Sequence, residues 1–199
     1  YRGWGAAFLE WNNNGALDLV MTNGVDYPFF EYDALFVNDP MRFWENDGTG
    51  AMTEVSAAVG LTDTGSGKGL LVFDFDGDGD LDVFVVNNRT GGILYRNDQN
   101  TGHHWLRVKV EGGAGFNRDG IGAVVTIQAV EDGPGQVRHI GASSHFLGES
   151  ERIAHFGLGT QATPIHRLTV DWPGHSTRVF EDVALDQLFV AIPEALEDT

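Results

Sequence analysis

Five aspartates alternate along residues 74–82, in the stretch DFDGDGDLD. Carboxylates packed this closely repel one another, so the stretch needs either a neutralising cation or full exposure to water. A hard dication such as Ca²⁺ takes about six to eight oxygen ligands, and alternate positions of a tight loop can all point at one ion. The spacing therefore predicts a calcium-binding loop.

The ligands expected in such a loop are side chains at positions 1, 3, 5 and 9 and a backbone carbonyl at position 7. In this sequence they are Asp74, Asp76, Asp78, Asp82 and, through its carbonyl, Asp80. Gly79 at position 6 permits a sharp turn, because glycine tolerates positive φ. The side chain of Asp80 is then expected to point away from the ion. The alternative is a solvated acidic turn that binds no metal.

An EF-hand loop begins in the same way, but it requires a bidentate Glu at position 12 and a helix on each side. Position 12 is Val85, which lies in an apolar, β-like run. Both requirements fail, and the need for flanking helices also excludes a dockerin loop. The acidic loop is therefore predicted to join two strands.

A second and less acidic copy of the loop occupies residues 10–18, EWNNNGALD. Its candidate ligands are Glu10, Asn12, Asn14, Asp18 and the carbonyl of Ala16. Asn can bind calcium through its side-chain oxygen, but affinity falls with the charge of the ligands, so this second site should be weaker. The alternative is a turn without metal that is held by Asn side-chain hydrogen bonds.

The segments on either side of the two loops also correspond. GAAFL and GLLVF precede the loops, and LVMTNG and VFVVNN follow them. The match of LFVND with LYRND predicts a third strand near residues 34–38 in one copy and 93–97 in the other. Residues 43–56 are typical of a hairpin with a Gly-rich turn, and 54–61 has weak helical periodicity. Four short strands in each copy predict two β-propeller blades within residues 1–102.

The stretch FDFDGDGDLDVFVVNN resembles the calcium-binding loop of the FG-GAP/VCBS repeat family, and residues 35–61 are similar to the segment between loops in that family. These repeats build β-propellers in integrin α-subunits and in many bacterial surface proteins. The resemblance implies a propeller-type fold, Ca²⁺ as cofactor and the ligand set of residues 74–82. The first loop departs from the family pattern at Glu10, Asn12 and Asn14.

The second half changes character, because the acidic loops stop and the strands lengthen. Strands are expected at residues 105–112, 123–130, 136–142, 167–172 and 188–194. This pattern is typical of a small β-sandwich-like domain at residues 103–199. HHWLRVKVEG, NRDGIGAVVTI, SSHFLGESERIAHFGLG and VDWPG resemble the ASPIC/UnbV domain, which typically follows VCBS-type repeats. The fold class predicted for the chain is therefore all-β.

Composition and motif content argue against several classes of function. The chain has 12 Lys+Arg and 29 Asp+Glu, a net charge of −17, which argues against binding nucleic acid or an anionic membrane. No apolar run reaches transmembrane length, so membrane insertion is not expected. Cysteine is absent, and the histidines lack the spacing of a zinc site. No GxSxG motif is present, and no enzyme activity is predicted.

The function expected from the sequence is a calcium-stabilised, secreted or cell-surface module for adhesion, assembly or protein interaction. The alternative is a carbohydrate-binding or accessory module of a secreted enzyme. A partner is expected to be a protein or glycan at the cell surface or in the matrix. Closed propellers have about four to eight blades, so two blades predict either self-association or the remainder of a larger propeller. The start at Tyr1, without Met, is consistent with a fragment or a processed chain.

Overall fold

Short runs of β-branched and aromatic residues between glycine-rich turns favour strands, and the chain folds accordingly. The structure is a computed structural model that describes residues 2–26, 31–113, 115–142, 144–174 and 177–194. Its strands, in chain order, are β1 Ala6–Leu9, β2 Asp18–Met21, β3 Arg42–Asn46, β4 Met52–Glu54, β5 Gly67–Phe73, β6 Asp82–Asn87, β7 Ile93–Tyr95, β8 His104–Val110, β9 Val124–Gln128, β10 Gly135–His139, β11 Ser144–His145, β12 Gly148–Glu149, β13 Ile153–Gly159, β14 Ile165–Asp171, β15 Thr177–Val183 and β16 Leu188–Ala191. The predicted all-β fold class is confirmed.

The chain divides into two compact units that alternate along the sequence. Unit 1 comprises Tyr1–Trp11, Ala16–Gln99 and Ser143–Glu151, and unit 2 comprises Asn12–Gly15, Asn100–Ala142 and Arg152–Thr199. The division into two domains, residues 1–102 and 103–199, stays a prediction.

Unit 1 contains two antiparallel sheets in which the strands follow one another, β1-β2-β3-β4 and β5-β6-β7. Side chains alternate across each strand, so Val20 of β2 and both Val83 and Val85 of β6 are fully buried. They pack with Phe43 and Leu70 in one apolar core. Propeller blades are sheets of short strands that follow one another in the chain, so these two sheets agree with the fold that the FG-GAP resemblance implied.

Pairing registers define which residues of the two copies are equivalent. Leu19, directly after the first loop, lies opposite Trp44 of β3. Val83, directly after the second loop, lies opposite Tyr95 of β7. The third strands of the two copies are therefore β3 and β7, and the segment WEND in the first copy corresponds to YRND in the second.

The prediction of a third strand near residues 34–38 is wrong. This segment overlaps a 3-10 helix, Glu31–Phe36, and the turn that follows it. Asn38 has a φ of 61°, a left-handed conformation that ends an extended run. The third strand begins only at Arg42, so the first copy has a longer connection between its second and third strands than the second copy has.

The hairpin predicted at residues 43–56 is present as β3 and β4. The second copy differs, because β7 is followed by no paired fourth strand in the ranges that the structure describes. The weak helical signal at residues 54–61 corresponds to a turn, in which the Val59 N–H donates to the Val55 carbonyl over 3.2 Å. No helix among the described residues is long and apolar enough to cross a membrane.

Unit 2 folds as two sheets around one apolar core, as the sandwich prediction required. One sheet has the order β10-β9-β14-β15, and the other has the order β13-β8-β16, with β16 parallel to β8. Leu106 and Phe156 from one sheet share the core with Ile127 and Leu168 from the other. The predicted strands correspond to β8, β9, β10, β14 and β16, whereas β13 and β15 were not predicted.

Candidate metal centre

The acidic loop connects β5 to β6 and is fixed by both of them. The last residue pair of the two strands is Phe73 and Asp82, so strand pairing fixes both ends of the loop. Gly77 and Gly79 have φ values of 82° and 93°, which glycine adopts without steric cost. The flanking strands confirm that the loop is not an EF-hand, and Gly79 makes the turn expected at position 6.

Three carboxylates meet inside this loop. Oxygen atoms of Asp74, Asp76 and Asp78 all lie within 4.8 Å of one another, with Asp74 buried and the other two exposed. Calcium–oxygen distances are about 2.3–2.6 Å, so two ligands on opposite sides of one ion are about 5 Å apart. The three oxygens are therefore close enough to contact a single ion.

Backbone N–H groups orient the first of these carboxylates. Asp74 Oδ1 accepts a hydrogen bond of 2.7 Å from the Gly77 N–H, and Oδ2 accepts one of 3.1 Å from the Gly79 N–H. Asp78 Oδ1 accepts a bond of 2.9 Å from the Asp80 N–H. Each carboxylate oxygen has a second lone-pair direction, so these bonds leave room for a cation.

Asp82 is placed differently from the other acidic side chains. It is 0 % exposed, and it lies outside the cluster of three carboxylates. Its Oδ2 accepts a hydrogen bond of 2.6 Å from the Phe75 N–H, and its Oδ1 accepts one of 2.8 Å from the Asn97 N–H. The role of Asp82 as a fourth carboxylate ligand stays a prediction.

Burial and like charge together make the loop electrostatically unfavourable without a cation. Loss of solvation, followed by the negative charges of Asp78 and Asp74, raises the pKa of Asp80 to about 7. Asp80 is half-buried, and the expectation that its side chain points away from the ion stays a prediction. Burial is also the main reason that the pKa values of Asp78 and Asp82 are raised. A dication would favour the charged form of every one of these groups.

Arg96 lies at the edge of this cluster. Its Nη2 lies 2.5 Å from Asp98 Oδ1, and its Nε lies 3.6 Å from Asp76 Oδ2. The side chain of Arg96 is 55 % exposed, and ion pairs at such positions are worth little. One exposed guanidinium therefore does not offset the repulsion among the buried and half-buried aspartates.

The acidic ends of the first loop lie in unit 1 and are buried, with Glu10 and Asp18 exposed by only 1 % and 0 %. Ala16, the predicted carbonyl ligand, is also buried. Asp18 Oδ2 accepts a bond of 3.0 Å from the Trp11 N–H, and Oδ1 accepts one of 2.8 Å from the Asn46 N–H. Desolvation raises the pKa of Asp18 to about 6.

The centre of the first loop belongs to unit 2. Asn12 Oδ1 accepts a hydrogen bond of 3.1 Å from the Asn14 N–H. This is the kind of bond expected in a turn held by Asn side chains, which was the alternative to a metal site. The Asn13 carbonyl accepts a bond of 2.8 Å from the Gly159 N–H. The candidate ligands of this loop thus fall in different compact units, and metal binding by them stays a prediction.

Sequence reasoning missed the contact of Asn13 with His155, because their positions are far apart in the chain and Asn13 is not among the alternating candidate ligands of the first loop. His155 is buried, and its Nε2 lies 2.7 Å from Asn13 Oδ1. Burial, with smaller effects from Arg107 and Arg138, lowers the pKa of His155 to about 3. The imidazole is therefore neutral at pH 7, and its Nε2–H donates to the Asn13 amide oxygen.

Comparison with family models gave one match in each half of the chain. A model of the FG-GAP-like repeat matches residues 10–85, a range that includes both acidic loops. The chain contains an FG-GAP-like repeat. A second model, ASPIC and UnbV, matches residues 113–196. Both resemblances noted in the sequence are thereby confirmed. A comparison with curated proteins gave no significant match.

The combination of an FG-GAP-like repeat with an ASPIC/UnbV domain indicates the class of protein to which the chain is similar. FG-GAP repeats are typical of extracellular proteins and commonly bind Ca²⁺. Neither family is known as a catalytic one. Together the two domains are suggestive of an extracellular protein-interaction module.

Proposed function

We propose that this FG-GAP and ASPIC/UnbV chain is a calcium-stabilised extracellular adhesion, assembly or protein-interaction module without catalytic activity. The observation that carries the proposal is the convergence of Asp74, Asp76 and Asp78 in a loop that two paired strands hold in place. The match of this region to the FG-GAP-like repeat supports calcium as the ion, since such repeats commonly bind it.

The donor set fits a hard cation. All three clustered groups are carboxylates, which calcium prefers, and the partly buried loop has little positive charge of its own. In the proposed site the ion is held by the side chains of four aspartates, Asp74, Asp76, Asp78 and Asp82, and by the carbonyl of Asp80. The ion supplies positive charge that offsets the repulsion. Because it binds the folded loop only, it stabilises the fold by mass action.

The role of the ion in this proposal is structural. The loop joins two strands whose pairing extends to its first and last residues, so there is no hinge at which binding could swing one element against another. Calcium would stiffen the blade and not act as a switch.

Thermal melting with calcium and with a chelator tests the proposal. At about 100 times its Kd, a ligand stabilises by about 2.7 kcal/mol, which corresponds to about 5–10 °C for a protein of this size. We expect such a rise for the wild type and its loss in Asp76→Asn. Asp132→Asn is the matched control, because Asp132 is an exposed aspartate in a turn outside the loop. An identical melting temperature of the wild type with calcium and with chelator would count against the proposal.

The partner in this proposal is a protein or glycan of the cell surface or matrix, or further blades of the same kind. Support for the latter comes from the second copy, whose three strands are paired by no fourth strand among the described residues. Exposed strand edges favour pairing with another chain. Mass measurement in solution tests self-association: a complex of several copies supports it, and a stable monomer at high concentration argues against it.

The alternative of a carbohydrate-binding module calls for an open groove lined with aromatic rings. In unit 2, Phe116 and Trp172 line a pocket of about 80 Å³. Ligand pockets usually have about 300–1,000 Å³. The Trp172 ring is buried and its Nε1–H donates to the Glu111 carbonyl, as in a packed core. This pocket therefore gives no support to the carbohydrate-binding alternative, which binding on a glycan array would support.

A further inference from the structure

We infer that Ser150 and Glu151 are positioning residues of the proposed calcium site, which they support by holding the strand that leads into it. Both residues lie outside the FG-GAP-like match at residues 10–85 and far beyond the acidic loop in the chain. They nevertheless belong to unit 1, together with that loop. The inference rests on the proposed function, because it concerns how the same loop is held for the ion.

Residues 148–151 run along the outer edge of β5. This strand is at the edge of its sheet, whose order is β5-β6-β7. Alternate residues of a strand direct their N–H and C=O groups to the same edge, and here these residues are Leu70, Val72 and, at the start of the loop, Asp74. Gly148 lies against the first of them, since a Cβ atom there would be 2.6 Å from the Leu70 carbonyl oxygen.

Ser150 provides a hydrogen-bond acceptor at the middle of this edge. Its Oγ accepts a hydrogen bond of 2.9 Å from the Val72 N–H, and the residue is only 8 % exposed. The same Oγ lies 2.9 Å from His145 Nε2, which in a neutral imidazole accepts the Ser150 O–H. Burial lowers the pKa of His145, which favours this neutral form. Ser150 is therefore oriented by the imidazole while it binds the strand.

Glu151 extends the contact to the first residue of the acidic loop. Its N–H donates to the Val72 carbonyl over 3.4 Å, and its Oε1 accepts from the Asp74 N–H over 3.4 Å. These two bonds are longer than the bond to Ser150 and therefore weaker. Together they connect residues 150–151 to the backbone of Asp74, which is the buried member of the carboxylate cluster.

This connection should affect calcium binding through the position of the backbone at Asp74. Calcium requires oxygen ligands at about 2.3–2.6 Å, so a ligand whose backbone moves must be ordered when the ion binds. Ordering costs free energy, and contacts that hold the backbone beforehand reduce that cost. The coupling is reciprocal, so calcium should hold residues 150–151 on β5 more firmly by the same factor.

Calcium titration of Ser150→Ala tests the positioning role. We expect the calcium affinity to fall by at least about fivefold, because the Val72 N–H loses its buried acceptor. Ser150→Thr keeps a hydroxyl group and should restore the affinity of the wild type. Ser56→Ala is the matched control, because Ser56 is also buried and its Oγ accepts a bond of 2.7 Å from the Phe43 N–H in the first copy. S56A should be less stable than the wild type but should bind calcium equally well.

Amide hydrogen exchange measures the reciprocal effect. With chelator, the Val72 amide should be protected in the wild type and should exchange faster in S150A. Calcium should slow exchange of the Glu151 amide in the wild type, although this amide lies outside the loop. In the double variant Asp76→Asn/Asp78→Asn, the same calcium concentration should have little effect. The wild-type measurement remains decisive even if S150A does not fold.

A loss of calcium affinity in S150A that S150T restores and S56A does not show would support the inference. Equal affinity of S150A and the wild type would overturn it, and so would a Glu151 amide that does not respond to calcium. An equal loss in S56A would also overturn it, because the effect would then be one of general stability. In these cases the wild type still binds calcium, so the proposed function stands. If the wild type binds no calcium, the proposed function and this inference both fail.

Discussion

Asn13 Oδ1 lies 2.7 Å from His155 Nε2, and the imidazole that makes this contact is buried. The burial lowers the pKa of His155 to about 3. Between that value and the ordinary pKa of about 6.5, the unfolded chain binds a proton at this residue that the folded chain does not. Folding should therefore become less favourable as the pH falls through this window.

The first prediction concerns this histidine. From about pH 6.5 downward, His155 should contribute a decrease in wild-type stability of up to about 1.4 kcal/mol per pH unit. His155→Gln should be less stable at pH 7 but should lack this contribution, so the difference between the two proteins narrows at low pH. Urea unfolding at several pH values measures it. His139→Gln, at an exposed position, is the control; a constant difference between wild type and H155Q would refute the prediction.

The second prediction concerns Asp80 and has the opposite sign. Because burial and neighbouring aspartates raise the pKa of Asp80 to about 7, the folded protein holds a proton there that the unfolded chain releases near pH 4. In chelator, the contribution of Asp80 to stability should thus decline from about pH 4 to pH 7, so the stability of the wild type relative to Asp80→Asn should fall over this range. Calcium should reduce this decline, since the ion favours the charged form. Parallel stability curves for wild type and D80N in chelator would show that the charge of Asp80 has no such effect.

The third prediction tests the packing of unit 2. A Cβ atom at Gly112 would lie 2.0 Å from the Asn117 carbonyl oxygen, a backbone atom that cannot rotate away. Gly112→Ala should therefore cost about 1–3 kcal/mol or prevent folding. Gly113→Ala is a close control, because its Cβ would meet only Pro193 Cγ, at 3.4 Å. Equal melting temperatures for the two variants would contradict this account of the turn.

The loops and their flanking strands could be predicted because their signals are local. Alternating aspartates, a glycine at position 6 and apolar runs on both sides lie within a short stretch. The internal repeat shows a related pattern of polar loop and apolar flanks a second time. The position of Asp82 could not be predicted in the same way. Its spacing is that of a ligand, whereas its observed contacts involve the amide of Asn97, which reaches it only after β7 has paired with β6.

The third strand of the first copy illustrates how a local match fails. Two Asn-Asp pairs occur there, Asn38-Asp39 and Asn46-Asp47, and both resemble the Asn97-Asp98 pair of the second copy. Only pairing with β2 distinguishes them, since Trp44 must lie opposite Leu19. The first pair instead lies in a turn, with Asn38 at positive φ.

Long-range relationships were the other part that the sequence did not reveal. Residues 144–149 form a hairpin that belongs to unit 1, although they are surrounded in the chain by residues of unit 2. At Gly148 the hairpin lies close to β5, because a Cβ atom there would be 2.6 Å from the Leu70 carbonyl oxygen. No pattern within the hairpin itself indicates that neighbour.

The central claim is that the loop of residues 74–82 binds calcium through its clustered carboxylates, and calorimetric titration of the chelator-treated protein tests it most directly. We predict saturable calcium binding by the wild type and by Asp132→Asn. In the double variant Asp76→Asn/Asp78→Asn, affinity should fall by at least about tenfold, because two charged ligands are lost. No binding by the wild type, or equal affinity in the double variant, would contradict the claim.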